Sequence, residues 1–135
     1  MAGAETFRII VDRKKTILFV EDEKELVSTV TSLLSDQGYD VTAVLTAEEA
    51  LRWVKNTAPD LFLADIRLPG LDGLDFYKEI RKLEHCRNTP FIFLTAFNNL
   101  QAAMEAKKQG ASEYITKPFD FEYLIERVRG LVPPT

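Results

Sequence analysis

Four groups able to do chemistry each stand directly after a short apolar run. Asp65 closes the run Leu61-Phe62-Leu63-Ala64 and is followed by Ile66-Arg67-Leu68-Pro69-Gly70. Glu21-Asp22-Glu23 follows Thr16-Ile17-Leu18-Phe19-Val20. Thr95-Ala96 follows Pro90-Phe91-Ile92-Phe93-Leu94, and Lys117-Pro118 follows Glu113-Tyr114-Ile115-Thr116. If these runs are strands of one parallel sheet, all four groups lie on its carboxyl edge, where open α/β sheets bind ligands. With the first and third strands as neighbours, Glu21, Asp22 and Asp65 converge. Carboxylates gathered this closely either take up a proton at a raised pKa or hold a hard divalent cation. An all-oxygen set with few protein ligands suits Mg²⁺, which keeps several waters.

An ammonium at Lys117 and a hydroxyl at Thr95 complete the equipment for phosphoryl transfer. A carboxylate attacks phosphorus, metal and ammonium neutralise the equatorial oxygens, and the hydroxyl donates to one of them. Asp65 is the candidate nucleophile, because it is the lone carboxylate after a continuous apolar strand. Glu21 and Asp22 come as a pair suited to the metal. Plainer readings stand beside each member. Asp22 with Glu25 reads as a helix cap and capping box. Thr95 reads as a strand-end β-branched residue, and Lys117-Pro118 as a turn. Each suffices alone; what they do not explain is why all four groups follow the right runs.

The elements that must position these groups alternate regularly. After the strand at Thr16–Val20, Leu26, Val27, Val30, Leu33 and Leu34 recur at helical spacing, and Gly38 is placed to end that helix. Tyr39 to Leu45 reads as a second strand. Thr46-Ala47-Glu48-Glu49 is a capping box opening a helix with the stripe Ala47, Ala50, Leu51 and Val54. Leu61 to Asp65 is the third strand, and Pro69-Gly70 turns the chain. Phe76, Tyr77, Ile80 and Leu83 mark a third helix. Between Asn98 and Gln109 the only large apolar residues are Leu100 and Met104, so the fourth helix should pack on a thin stripe and be loosely held. Asp120 caps a fifth helix with the stripe Phe121, Leu124, Ile125, Val128 and Leu131. Five β-α units with short connections imply a doubly wound, five-stranded parallel α/β sheet with helices on both faces.

Bulk properties narrow the function classes. The 135 residues suit one domain, and 46% hydrophobic against 28% charged residues supply a real core. A formal net charge of −4 argues against direct nucleic-acid contact, which wants a basic face. The lone Cys86 excludes an internal disulfide and is read as lying in a polar loop without a role. No run is long and apolar enough for a membrane span, and no signal-peptide layout is present, so a cytoplasmic location is the expectation. The short apolar run Phe7–Val11 is placed outside the core fold, which gives an extension at 1–14 and a domain at 15–135.

Asp22 after the first strand, Asp65-Ile66-Arg67-Leu68-Pro69-Gly70-Leu71-Asp72-Gly73, Leu94-Thr95-Ala96 and Tyr114-Ile115-Thr116-Lys117-Pro118-Phe119 together resemble the response-regulator receiver domain of two-component signalling. The resemblance spans nearly the whole chain. It implies a flavodoxin-like three-layer sandwich with strand order 2-1-3-4-5. It implies that Asp65 is the phosphoacceptor, that Asp22 ligates Mg²⁺ directly and Glu21 through water, and that the backbone carbonyl of Arg67 is a further metal ligand. Lys117 contacts the phosphoryl group and precedes a cis proline, Thr95 is the switch hydroxyl, and Tyr114 is the aromatic that changes rotamer. Ala96 is small enough for phosphoryl access. Glu21 departs from the commoner Asp by one methylene.

The implied mechanism takes a phosphoryl group from a histidine kinase or phosphotransfer protein onto Asp65. Thr95 then shifts inward, Tyr114 fills the vacated space, and the surface of helix four, strand five and helix five changes toward a partner or output domain. The resemblance implies a phosphoacceptor signalling domain rather than an enzyme, one that catalyses only its own phosphoryl transfer and loss. A phosphorylation-dependent dimer through helices four and five is left open. Arg67 and Phe97, each two residues beyond a site residue, are expected to flank the path of a hydrolytic water and lengthen the phosphoryl lifetime; alternatively both point into solvent.

Two rivals of the same fold class fit poorly. A flavin-binding protein needs a hydroxyl-rich phosphate loop where Glu21-Asp22-Glu23 stands. An aspartyl-nucleophile hydrolase would usually carry a second acid where Arg67 stands. The remaining alternative is a non-phosphorylated interaction module. Glu21 is its only support, and the intact Asp65, Thr95 and Lys117 oppose it.

Overall fold

The computed structural model describes residues 13–134; the apolar run at 7–11, placed outside the core fold, lies outside them. Five strands form one parallel sheet in the order β2-β1-β3-β4-β5: β1 (Thr16–Val20), β2 (Asp40–Val44), β3 (Leu61–Asp65), β4 (Phe91–Ala96) and β5 (Glu113–Lys117). Five α-helices connect and follow them: α1 (Lys24–Asp36), α2 (Ala47–Trp53), α3 (Gly73–Lys82), α4 (Leu100–Lys108) and α5 (Phe121–Leu131). This is the doubly wound architecture that the alternation implied.

Alternate residues of the buried strands feed two separate cores. On one face Leu18, Val20, Phe62, Ala64, Phe91 and Phe93 meet α2, α3 and α4. On the other Ile17, Phe19, Leu61, Leu63, Ile92 and Leu94 meet α1 and α5. Every residue of β3 is buried, which is why its sequence shows no polar alternation. The first core is held by aromatic edges and faces: Phe62, Phe76, Tyr77, Phe91 and Phe93 contact one another with ring centroids 4.7 to 5.9 Å apart.

Local chemistry sets the helix starts. The Thr46 hydroxyl accepts from the Glu49 N–H at 3.1 Å, and Asp72 and Asp120 accept from Asp75 and Glu122 at 2.8 and 2.9 Å. At α1 the cap residue is Glu23, with no side-chain cap bond. The capping reading of Asp22 is therefore not realised, and its carboxylate is left for other work.

Three expectations need correction. Helix α4 does not use Leu100 and Met104 as its core stripe. Ala103 and Ala106 are buried while Met104 is 40% exposed, because the large rings of β4 already fill the space beneath. Phe121, expected in the stripe of α5, is 38% exposed and packs edge-on against Phe119. Cys86 lies in the first core and not in a polar loop. The guanidinium of Arg81 draws that segment inward by donating to the carbonyls of Cys86, Arg87 and Thr89. Burial pushes the Cys86 thiol above its ordinary pKa, consistent with an inert core residue.

Candidate functional site

Parallel register brings the candidate residues to one edge. Val20 pairs with Ala64 and Asp65 with Leu94, so Glu21 and Asp65 end adjacent strands at the same level. Ala96 pairs with Lys117, so β4 and β5 deliver Thr95 and Lys117 one and two strands further on.

The ammonium of Lys117 joins two of the acids. Its Nζ donates to Asp65 Oδ2 at 2.7 Å and to Glu21 Oε1 at 2.8 Å. Glu21 is wholly buried, Asp65 is nearly so, and Asp22 is exposed beside them. One carboxylate oxygen from each of Glu21, Asp22 and Asp65 lies within 4.8 Å of the others. The second oxygen of Asp65 accepts from the Arg67 N–H at 3.0 Å, and that of Glu21 accepts from the Glu23 N–H at 3.3 Å.

Electrostatics distinguish the partners. Burial raises the Glu21 carboxyl to about 7; Lys117 opposes that rise and the charge of Asp65 adds to it. For Lys117, desolvation pulls the ammonium down, but its bonds to Asp65 and Glu21 outweigh it and hold the pKa above the ordinary lysine value. Lys117 thus stays charged, and the enclosed Glu21 bears the cost of crowding. Three carboxylates against one ammonium leave an excess of negative charge, all of it on oxygen donors. That donor set, with one acid open to solvent, fits a hard divalent cation. The residues present therefore match the metal that the sequence implied.

The loop after Asp65 is built tightly around it. The Gly73 N–H donates to the Ile66 carbonyl at 2.9 Å. A Cβ at Gly73 would stand 2.1 Å from the Asp65 carbonyl oxygen, so no larger residue fits without moving the backbone of the acid. In the sequence Gly73 is the last residue of the motif that begins at Asp65, with no structural role given to it. Its role arises from a contact eight positions back that no local pattern displays.

Of the remaining candidates, Thr95 is wholly buried, and its hydroxyl donates to the Ala96 carbonyl at 3.1 Å. Tyr114 is half-buried, with the Lys107 ammonium 5.9 Å from its ring centroid. The Lys117–Pro118 peptide is cis. Phe97 opens a 3₁₀ turn after β4 and is 79% exposed, and Arg67 is exposed. The structure therefore brings Glu21, Asp22, Asp65 and Lys117 together. It leaves Arg67 and Phe97 with their side chains in solvent. The only histidine, His85, sits in the segment after α3, with its ring nitrogen 2.6 Å from the Val54 carbonyl.

Residues 17–129 match the family described as the response regulator receiver domain. The two-component response regulator PhoP of Pseudomonas aeruginosa is 40% identical over 116 residues, covering 86% of this chain and 51% of that protein. The DNA-binding dual master transcriptional regulator RpaA of Synechocystis is 32% identical over 119 residues, covering 88% of this chain and 49% of that protein. Among solved structures, the receiver domain of the sensor histidine kinase PA1611 of P. aeruginosa, with a magnesium ion coordinated in its active-site cleft, superimposes with a TM-score of 0.79. It is 35% identical, and the match covers 88% of this chain and 98% of that one. The chain thus spans about half the length of the curated relatives it matches.

Proposed function

The chain belongs to the response regulator receiver domain family, and from that premise we propose that Asp65 accepts a phosphoryl group from the phosphohistidine of a histidine kinase or phosphotransfer protein. The observation that supports this most is the Lys117 ammonium held between Asp65 and Glu21 with the Asp22 carboxylate alongside. Glu21, Asp22, Asp65 and the backbone carbonyl of Arg67 would hold Mg²⁺, which when bound supplies charge neutralisation at the phosphoryl oxygens. An Asp65 oxygen attacks phosphorus as the phosphorus–nitrogen bond of the donor breaks. The leaving imidazole keeps the electron pair. Lys117 neutralises the charge that develops beside Asp65 and thereafter pairs with the acyl phosphate. The donor histidine lies outside the receiver, since the one histidine of this sequence, His85, is turned to the Val54 carbonyl.

The new dianion offers Thr95 a stronger acceptor than the Ala96 carbonyl it now uses. Movement of Thr95 inward opens room for Tyr114, and the surface formed by α4, β5 and α5 changes toward an output domain or partner protein. RpaA carries DNA binding in its name and is twice as long as the matched region. The expectation of no nucleic-acid contact is therefore narrowed to the receiver itself. A link to nucleic acid would run through an output domain, in the same chain or in a partner.

The test is incorporation of phosphate from acetyl phosphate with and without Mg²⁺, on the full chain and on Asp65→Asn. Uptake by the unaltered chain that requires Mg²⁺ and vanishes in Asp65→Asn supports the reading. No uptake by the unaltered chain overturns it and leaves a module that signals by binding alone.

A further inference from the structure

The loop that carries Arg67 is tied at its base, and Leu68 and Leu71 pack partly buried against the first core, but the backbone of its apex has little hydrogen bonding to hold it. Gly73 closes the base on Ile66, and the Arg67 N–H is fixed by Asp65. Among the described residues, the one hydrogen bond from Leu68–Leu71 to any other segment is made by Glu48. Its Oε2 accepts from the Leu71 N–H at 3.2 Å. The same oxygen lies against Gly70, where an added Cβ would be 2.5 Å away and where φ is +72°. Only a residue without a side chain lets the carboxylate come in this close. Glu48 itself is anchored in the first turn of α2, two residues after the Thr46 cap, so its backbone is fixed.

We propose that Glu48 is a positioning residue for the phosphoacceptor loop. Its carboxylate pins Leu71, which holds the Arg67 carbonyl where a divalent cation on Asp65 and Asp22 can reach it. The inference rests on the receiver reading above. It adds a contribution from α2, an element that supplies no group to the cation or the phosphoryl group. A plainer reading makes Glu48 a surface acid that merely favours the positive end of α2. The two readings differ in what they require of the side chain. Positioning requires an acceptor at full reach; the dipole requires only charge.

The experiment compares Glu48→Gln, Glu48→Asp and Glu48→Ala with the unaltered chain by NMR, following amide exchange without metal and amide shifts during Mg²⁺ titration. Gln keeps reach and acceptor but loses charge. Asp keeps charge but loses reach. The proposal expects Gln to behave as the unaltered chain. It expects Asp and Ala to speed exchange of the Leu71 amide by about tenfold while α1 amides are unchanged. Their Mg²⁺ dissociation constants should rise about three- to tenfold, the range that loss of one ordinary hydrogen bond commands. Equal Mg²⁺ affinity in all four proteins overturns the proposal, as does Asp behaving like the unaltered chain while Gln behaves like Ala. A chain that neither shifts with Mg²⁺ nor takes up phosphate overturns the receiver reading itself. A phosphorylatable chain indifferent to Glu48→Ala overturns only this inference.

Discussion

Glu21 is the residue on which the charge balance of the site turns. It is wholly buried, and burial raises its carboxyl from an ordinary 4.5 to about 7. A group whose folded pKa lies above its unfolded one contributes stability that is fully present below the unfolded value. That contribution is lost as pH rises through the folded value. In metal-free protein, Glu21 therefore favours the fold below pH 4.5 and costs up to about 3 kcal/mol by pH 8. Urea unfolding in EDTA should show Glu21→Gln gaining on the unaltered chain between pH 5 and 8; a pH-independent difference would contradict this. Lys117 is the counterweight. Lys117→Met leaves Glu21 buried without its cation and should cost about 1–3 kcal/mol at pH 8, and less at pH 5 where Glu21 is protonated. Equal loss at both pH values would contradict the pairing. The expectation that Phe97 and Arg67 lengthen the phosphoryl lifetime is a proposal, since both side chains stand in solvent. If their solvent-facing side chains lean over the acyl phosphate and screen it from water, Phe97→Glu and Arg67→Asn should speed loss of the phosphoryl group, read as its decay rate after the donor is removed. Unchanged decay removes both from the account.

At the scale of elements, helix α4 is the part suited to move. It turns two alanines to the core, whereas α1 buries Val30 and Leu34 and packs Leu26 and Val27 partly beneath it. Less apolar burial means a smaller free energy of local opening. Amides of α4 should exchange faster than those of α1 in the unphosphorylated chain, and equal protection would remove the support for α4 as the switch. One tie opposes its release. Glu113 of β5 pairs with Lys107 of α4 and Arg127 of α5. Burial pushes the Glu113 carboxyl up, but the Lys107 bond, the Tyr114 N–H and Arg127 bring it below its ordinary value. That tie holds above the ordinary glutamate range and weakens as pH falls through the folded value.

The thin packing of α4 was legible in the sequence, but not which residues achieve it. Alanine gives little periodic signal, and the strand rings that replace larger helix residues are distant in sequence. The site itself was legible because parallel strands end on one edge, so position after each apolar run fixes Glu21, Asp65, Thr95 and Lys117. The enclosure of Cys86 by Arg81, the contact of Gly73 with Asp65 and the reach of Glu48 to Leu71 depend on tertiary approach, which no spacing rule encodes.

Over the whole molecule, one sheet with a core on each face positions every candidate residue. The carboxyl edge gathers the acids. Thr95 stands near that edge on β4, and Tyr114 on β5 lies beside Lys107 of α4. No helix among the described residues is long and apolar enough to cross a membrane. The match with PhoP and RpaA covers about half of each of those proteins. The central claim is that Asp65, among all the acids of the chain, captures phosphorus. Borohydride reduces an aspartyl phosphate to an alcohol, which marks the residue in a peptide mass map. After transfer from a phosphohistidine donor in Mg²⁺, the account predicts that the mark falls on Asp65 and is absent when EDTA is added first. A mark on Asp22 or Glu21, or undiminished marking in EDTA, would contradict it.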